Sequence, residues 1–298
     1  MYPNGGQAGS NETQVGAVAV VPLREKMLIV RHAIGTEPEP VIDAAKAPCA
    51  AMTMVRGDNV PLKRWLAHYR RFLPDEHIYV LTLGDDQQIA DIARGVNVIR
   101  IPAPDAEQVS DERCWQFLSQ VTSGLTQFYN WVICNDVSDC VVLDPDAGTD
   151  LVGYLMDRRA APSPPHVIIP FPIEMVPAAD QADAGAGSGT VGMYRLNSRF
   201  AKPCITSVPV EFRAGGQVAS IRNYEIATQL YNFHLDSAEG GSDDVRAAHA
   251  PGPSETIDHP EFRRKMIADR IVDPPWTQMG GGRSAETFRL PERFSGIF

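Results

Sequence analysis

The amino-acid sequence predicts an α/β fold in which a mainly parallel sheet is covered by helices. From residue 50 to residue 134, short aliphatic runs alternate with longer stretches whose apolar residues recur every three or four positions. Turns rich in glycine, asparagine and aspartate separate them. Strands that alternate with helices of this length form parallel sheets, and the ligand of such a sheet usually lies beyond the carboxyl ends of the strands.

The first strand and helix are indicated by one continuous segment. The run 50–55 is aliphatic and is followed by the turn Arg56-Gly57-Asp58-Asn59, and Pro61 suits the first turn of a helix. The helix is predicted to reach about Leu73, because one apolar face recurs along it at helical spacing. That face consists of Leu62, Trp65, Leu66, Tyr69 and Leu73.

The following elements repeat the pattern. We predict a strand at 77–83 closed by Gly84-Asp85-Asp86, a short helix at 87–94, a strand at 97–101, a long helix within 107–129 and a strand at 131–134. The inner face predicted for the long helix is Cys114, Phe117, Leu118, Val121, Leu125 and Phe128. Further along, 202–212 resembles a strand, and the alternation of Tyr231, Phe233 and Leu235 is typical of a half-buried one.

Composition limits the possible classes of protein. The 298 residues are 44% hydrophobic, enough for one large core or two small ones, yet no run of about 18 apolar residues occurs. No basic patch precedes an apolar stretch near residue 1, so we expect neither secretion nor a membrane span. The five cysteines are widely spaced with no CxxC pair, which favours a cytoplasmic location. A net charge of -10 argues against nucleic acid as a partner.

Four regions follow from these patterns. Residues 1–14 are polar and glycine-rich and are expected to be a disordered tail. Residues 15–48 contain two aliphatic runs that predict an amino-terminal strand extension. Residues 49–160 form the alternating half, and residues 161–298 form a less regular half with a carboxyl-terminal extension.

Acidic turns follow three of the predicted strands. They lie at Asp58, at Asp85-Asp86 and at Asn135-Asp136-Val137-Ser138-Asp139, and parallel strands should gather them on one edge of the sheet. Closely spaced carboxylates at a strand end can hold Mg²⁺ or Mn²⁺ beside a phosphate. Aspartate-rich turns also form simply because aspartate stabilises turns, and on this feature alone the structural explanation comes first.

The order and spacing of five segments resemble the family 2-like glycosyltransferases of GT-A fold, which have a Rossmann-type sheet. The segments are Met52 to Asn59, Leu62 to Tyr69, Ile78 to Leu81, Tyr129 to Ile133, and Asp144-Pro145. The likeness covers roughly residues 50 to 160 and extends more loosely from Lys202-Pro203 to Leu235. It implies transfer of a sugar, with inversion, from a nucleoside diphosphate donor to a hydroxyl on a saccharide, lipid or protein. Residues 49–160 would then bind the nucleotide sugar and residues 161–298 the acceptor.

The resemblance also implies roles for individual residues. The donor-binding residues would be Arg56, Asp58, Asp85, Arg113, Asp136 and Ser138. Manganese or magnesium would be held by Asp136, Asp139 and His234, and the general base would be Glu211 or Asp236. Each has a plainer explanation: a turn former at Asp58, a solvated helix arginine at Arg113, a solvent-facing strand position at His234 and an exposed edge carboxylate at Glu211.

Departures from the family pattern leave other functions open. Ser138 stands where the family has a second aspartate, Asp139 where it has a glutamate, and Gln217 where it has a histidine. These replacements support the alternative of a non-catalytic nucleotide- or glycan-binding protein on the same scaffold. A nucleotidyltransferase would need a basic, glycine-rich phosphate loop, and the turn at 56–59 is too short and too acidic. A dehydrogenase is disfavoured because no GxGxxG follows a predicted strand.

Overall fold

Ten strands in the described part of the chain form one sheet, and helices pack against it. The computed structural model describes residues 42–56, 59–84, 86–103, 109–176, 192–196, 202–213, 217–218, 223–235 and 287–297, all within the compact unit Pro40–Phe298. The helices are α1 Asn59–Tyr69, α2 Gln87–Ile92, α3 Asp111–Leu125 and α4 Leu151–Arg159, with short 3-10 helices at Asp75–His77 and Glu292–Phe294. No helix within these ranges is long and apolar enough to cross a membrane.

The strands are numbered in chain order. They are β1 Ala47–Val55, β2 Ile78–Leu83, β3 Asn97–Ile101, β4 Tyr129–Cys134, β5 Asp139–Leu143, β6 Val167–Met175, β7 Met193–Leu196, β8 Ile205–Thr206, β9 Phe212–Arg213, β10 Gln217–Val218, β11 Tyr224–His234 and β12 Phe288–Arg289. The sheet order is β12-β7-β6-β8-β4-β1-β2-β3, and β11 pairs with both β6 and β5. Strands β9 and β10 form a separate two-stranded ribbon.

A parallel block positions the acidic turns. β4, β1, β2 and β3 are adjacent and parallel, with Ala51 of β1 in register with Ile133 of β4 and Ile78 of β2. β6 and β11 run in the same direction, because both β4 and β6 are antiparallel to β8 and β11 is parallel to β6. The predicted α/β class with a mainly parallel sheet is therefore confirmed. The carboxyl ends of β1, β2, β4, β6 and β11 share one edge.

The predicted alternation from residue 50 to residue 134 is confirmed, with shifted ends. Helix α1 ends at Tyr69 rather than at Leu73, and the chain continues as a turn in which Leu73 N donates to Tyr69 O at 2.9 Å. Pro74 disfavours a helical conformation at Leu73 and so prevents the helix from continuing further. An Arg70–Asp75 ion pair at 2.9 Å holds the turn that follows.

The predicted inner face of α3 is partly wrong. The buried residues are Cys114, Trp115, Leu118, Ser119 and Thr122. Phe117 is 37% exposed, and Phe128 lies beyond the helix end with 69% of its surface exposed. The helix turns Trp115 and two small polar residues inward instead, because Ser119 Oγ bonds the backbone of Phe212 from the inner face.

The second half of the chain departs further from prediction. Strands β5 and β6 and helix α4 were not predicted, and the strand predicted at 202–212 is present only as the short strands β8 and β9. Between them Thr206 Oγ1 accepts a hydrogen bond from Val208 N at 3.3 Å and donates to Val208 O at 2.8 Å, which makes a local turn before Pro209. The alternation at 231–235 is confirmed as the end of β11. The strands predicted within 15–32 lie outside the described residues.

The short helix Glu292–Phe294 packs against β11 and against Asp144, the residue after β5. Arg293 donates two hydrogen bonds to Asp144, at 2.9 and 3.2 Å, and the Tyr231 hydroxyl donates to the same carboxylate at 3.1 Å. The Phe294 ring lies 5.2 Å from that of Tyr231 and 5.6 Å from that of Phe233. Sequence patterns did not indicate this contact, which joins chain segments about 150 residues apart.

Helix α1 is joined to β5 by a buried histidine. His68 Nε2 donates to the Val141 carbonyl at 2.8 Å, and the imidazole packs edge-on against Tyr69 and Phe72. Burial disfavours the charged imidazolium and lowers the pKa of His68 to about 4. His68 is therefore neutral at physiological pH.

We expect the free energy of unfolding to decrease as the pH falls from about 6.5 to about 4, because the unfolded imidazole takes up a proton before the folded one does. The contribution of neutral His68 to the free energy of unfolding is complete above the pKa of the unfolded imidazole. Between pH 7 and pH 5, about 2 kcal/mol of this contribution should be lost. Urea denaturation at the two pH values measures this loss. His68→Gln should reduce it, whereas His77→Gln, which leaves His68 in place, should not. An undiminished loss in His68→Gln would contradict the assignment.

Asn135 joins α1 to the acidic turn after β4. Its Oδ1 accepts from Trp65 Nε1 at 3.0 Å, and its Nδ2 donates to the Tyr69 hydroxyl and to the Asp139 carbonyl, each at 2.9 Å. All four residues are buried. This amide therefore satisfies polar groups on two elements at once, where water is excluded.

Replacing Asn135 with alanine should lower the free energy of unfolding by about 3 kcal/mol, because a buried indole N–H and a buried carbonyl lose their partner. Chemical denaturation followed by tryptophan fluorescence measures the change. Asn223→Ala is a matched control, since Asn223 is exposed and its Nδ2 donates to Pro164 O at 3.2 Å. The control should change stability by less than about 0.5 kcal/mol. If both variants lost the same free energy of unfolding, the buried Asn135 amide would contribute no more to stability than an exposed one.

Candidate functional site

The acidic turn Asn135 to Asp139 connects β4 to β5 at the carboxyl edge of the parallel block. Asp139 N donates to Asp136 O at 2.9 Å and closes the turn. Asn135 N donates to Met52 O of β1 at 3.3 Å, and Ser138 O accepts from Leu235 N, just after β11, at 2.9 Å. The backbone thus fixes the turn between β1 and the end of β11.

Four ionisable side chains meet at this turn, and we call them the acidic-turn cluster: Asp136, Asp139, Lys202 and His234. Lys202 Nζ donates to Asp136 Oδ2 and, at 3.2 Å, to Asp139 Oδ2. His234 Nδ1 donates to the other Asp139 oxygen at 2.7 Å. The side chains of Asp139 and Lys202 are buried, whereas those of Asp136 and His234 are 27% and 16% exposed. Solvent therefore reaches the cluster mainly at Asp136.

Electrostatics keep Asp139 and Lys202 charged. Burial alone would raise the pKa of Asp139, but the Lys202 charge and the hydrogen bond from His234 outweigh it and hold that pKa below its ordinary value. Burial alone would lower the pKa of Lys202, but the two carboxylates outweigh it and raise that pKa. Lys202 Nζ also lies 5.9 Å from the centre of the Trp115 ring, within range of a cation–π contact. The cluster therefore contains a buried ion pair at neutral pH.

The structure brings together the three predicted metal ligands, Asp136, Asp139 and His234, but does so around an ammonium group. Both oxygens of Asp139 accept hydrogen bonds from protein side chains. Across the described ranges, no group of three or more His, Cys, Asp or Glu side chains is arranged to hold a metal ion. As arranged, these side chains do not fit a divalent cation.

Lys202 lies within the loose part of the resemblance, which implies no role for it. A lysine is rarely buried without an ionic partner, yet sequence alone does not show which lysines are buried. The partners of Lys202 lie more than 60 positions earlier in the chain, so no local spacing could have indicated the pairing. Its backbone position could have been suspected only from Pro203, which favours an extended approach to the sheet.

The structure shows what the polar face of β11, which carries His234, is directed towards. Asn232, two residues before it on β11, is fully buried, and its side chain hydrogen-bonds Asp139. The polar positions of β11 therefore face the cluster. His234 is not a solvent-facing strand position, because its side chain is only 16% exposed and its Nδ1 donates to the buried carboxylate of Asp139.

The structure describes three further predicted donor-binding residues, and each has a different environment. Arg56, after β1, donates to Asp111 at 3.0 Å and to Cys114 Sγ at 2.8 Å, and so joins the end of β1 to the first turn of α3. Arg113 is exposed on α3, and Ser138 is buried within the turn. Asp58, Asp85 and Asp236 lie outside the described residues. The neighbouring Asp86 caps α2 by accepting from Gln88 N and Ile89 N.

Glu211, one of the two candidate bases, is exposed immediately before β9. The next residue, Phe212, packs against Trp115 with ring centres 5.8 Å apart, and its N–H donates to Ser119 Oγ at 2.7 Å. The Trp115 ring is also the one that lies beside Lys202 Nζ. The segment carrying Glu211 is therefore connected to the acidic-turn cluster through a single aromatic side chain.

A second buried carboxylate at this edge was not predicted. Glu174, near the end of β6, is in register with His234 and accepts from Arg195 Nη2 at 2.9 Å. Both of its strand neighbours, β7 and β11, end or begin at the same edge. Because Glu174 is buried and paired, it extends the charged interior beyond the acidic turn.

Sequence comparison finds no relative: no protein-family model matches the chain, and no curated protein matches it. Among solved structures, the chain is similar to the glycosyltransferase GlyE of Streptococcus pneumoniae TIGR4, with 13% identity and a TM-score of 0.26 over 48% of this chain. It is also similar to the bifunctional glycosyltransferase WbbM in its apo form, with 12% identity and a TM-score of 0.26 over 49% of this chain.

The aligned region spans 32% of the GlyE chain and 25% of the WbbM chain. A CMP:2-keto-3-deoxy-manno-octonic acid synthetase complexed with CTP aligns over 74% of this chain and 98% of its own, with 11% identity and a TM-score of 0.27. TM-scores of this size carry no argument about function. The assignment to the α/β class rests on the sheet of this chain itself.

Proposed function

We propose that the protein is a nucleotide-sugar-dependent glycosyltransferase whose donor diphosphate binds at the acidic-turn cluster. One observation carries the proposal: a buried lysine and two carboxylates are held together where β4 ends, with Asp136 open to solvent. Ligands of parallel α/β sheets bind beyond the carboxyl ends of the strands. Buried charges contribute little to folding stability, whereas at this edge they can contribute to binding an anionic ligand.

The chemistry requires a cation near the leaving group. In the proposed reaction, an acceptor hydroxyl oxygen bonds to the anomeric carbon of the sugar while the bond from that carbon to the diphosphate oxygen breaks. The hydroxyl proton passes to a general base, and the electron pair of the broken bond leaves with the nucleoside diphosphate. Negative charge grows on the diphosphate in the transition state, and a fixed positive charge there lowers the barrier.

The predicted donor and base residues keep their roles as proposals. Asp58 comes soon after β1 in the sequence and Asp85 soon after β2, and β1 lies between β2 and β4 with all three strands parallel. Both aspartates are therefore kept as proposed donor-binding residues at the edge that carries Asp136. There they would accept hydrogen bonds from the base and ribose, with Arg56 and Arg113 beside the phosphates. Glu211 is the proposed general base, with Asp236 as the alternative, and the acceptor is a hydroxyl of a saccharide, lipid or protein.

Titration calorimetry of the wild-type protein with uridine and guanosine diphosphates tests the proposal. We expect one of the two to bind, and to bind at least about tenfold more tightly than its monophosphate, because the second phosphate gains the attraction of Lys202. In EDTA, Lys202→Met should weaken this binding about tenfold or more, since the diphosphate then loses the ammonium that attracts it. Lys63→Met, the same change at an exposed lysine of α1, should leave the affinity unchanged.

Absence of binding by every nucleoside diphosphate would rule the proposal out. Binding that is unchanged in Lys202→Met would place the donor elsewhere on the sheet edge. Release of free sugar from a bound nucleotide sugar distinguishes a transferase from the alternative of a non-catalytic binding protein. A chain that binds the donor tightly and neither hydrolyses nor transfers the sugar would support that alternative.

A further inference from the structure

We propose that Lys202 is a built-in cation that takes the place of a divalent metal at the acidic turn. Manganese would therefore bind at Asp136 and Asp139 only when the lysine is removed. That part of the proposal concerns the empty protein and does not depend on the proposed function. A second part does rest on it: the donor diphosphate binds there without metal.

Geometry places the ammonium where a shared metal ligand set would be. Lys202 Nζ is bonded to the Oδ2 atoms of both Asp136 and Asp139, and the remaining Asp139 oxygen accepts from His234 at 2.7 Å. A magnesium or manganese ion bridging the same two carboxylates would lie about 2 Å from each oxygen, close to Nζ. Two cations so close would repel strongly in a buried site, so one excludes the other.

The backbone keeps Lys202 at the turn. Cys204 N donates to Lys202 O at 2.8 Å, and Cys134 N, at the end of β4, donates to Cys204 O at 2.7 Å. The lysine side chain is 8% exposed and lies beside the Trp115 ring. The ammonium is thus supplied by a segment hydrogen-bonded to the strand that leads into the acidic turn, and moving it away would require breaking that connection.

The turn has less negative charge with which to hold a divalent cation than the resemblance implies. Ser138 stands where the resemblance expects a carboxylate, and this leaves two carboxylates at the turn, Asp136 and Asp139. The two carboxylates carry two negative charges, of which Lys202 compensates one and the hydrogen bond from His234 offsets part of the remainder. The serine and the lysine are therefore complementary features of one metal-free arrangement.

Manganese binding without nucleotide tests the first part directly. Electron paramagnetic resonance counts free Mn²⁺ as it is added to the wild-type protein, to Lys202→Met and to Lys202→Met/Asp136→Asn. We expect no saturable site at the turn in the wild type, and a site in Lys202→Met at least about tenfold tighter than any in the wild type, because two carboxylates then lack a counter-ion. The double variant should lose that site. Lys63→Met, a change at an exposed lysine of α1, should behave as wild type.

The test also works if Lys202→Met is less stable than the wild type in the absence of metal. Manganese that binds the folded state raises the melting temperature by mass action, so Mn²⁺ should stabilise Lys202→Met and not the wild type. The wild-type measurement needs no variant. Saturable Mn²⁺ binding by the wild type that disappears in Asp136→Asn would overturn the proposal, as would a folded Lys202→Met that gains no manganese site.

The second part is tested by titrating uridine diphosphate and guanosine diphosphate separately into the wild type in EDTA and again in Mn²⁺. We expect affinities that agree within about threefold, since the cation at the turn is already present. A gain of tenfold or more with Mn²⁺ that is lost in Asp136→Asn would overturn this part. Failure of both nucleotides to bind under either condition would refute the proposed function, while the metal-binding experiment on the empty protein would still decide the role of Lys202.

Discussion

The buried carboxylate of Asp139 is the constraint on which the rest of the site depends. An ionised carboxylate removed from water is stable only when opposite charge and hydrogen bonds surround it. Here these come from two other parts of the chain: Lys202 before β8, and Asn232 and His234 on β11. The β4–β5 turn, the approach to β8 and the end of β11 must therefore come together whenever the protein folds.

The sheet brings these parts together through strand direction. Because β11 is antiparallel to β5 and parallel to β6, its last residue lies opposite both Asp139 and Glu174. Strand β8 is antiparallel to β4 and β6, so the segment before it arrives at the same edge. Short antiparallel strands inserted into a parallel sheet thus bring groups from late in the chain to an edge formed early in it.

This arrangement explains which features the sequence could predict. Elements from residue 50 to residue 134 follow local rules, such as the apolar spacing around Trp65 and the aspartate turns, and they were recovered with small errors at their ends. Lys202 and Glu174 were not recovered, because their burial is decided by partners far away in sequence. The error at Phe128 has the same origin: a favourable helical spacing continued past the point where the chain turned towards β4.

Stability alone does not account for the acidic-turn cluster. A buried ion pair often contributes no more than apolar side chains of the same size, and removing one partner is costly. The cluster is also not sealed, since Asp136 remains 27% exposed while Asp139 and Lys202 are buried behind it. A fully structural pair would gain from complete burial of both partners or from replacement by apolar residues. Here the buried ammonium of Lys202 lies behind a partly open carboxylate at the edge where ligands of parallel sheets bind, so the proposed donor diphosphate would reach Lys202 by displacing Asp136 from it.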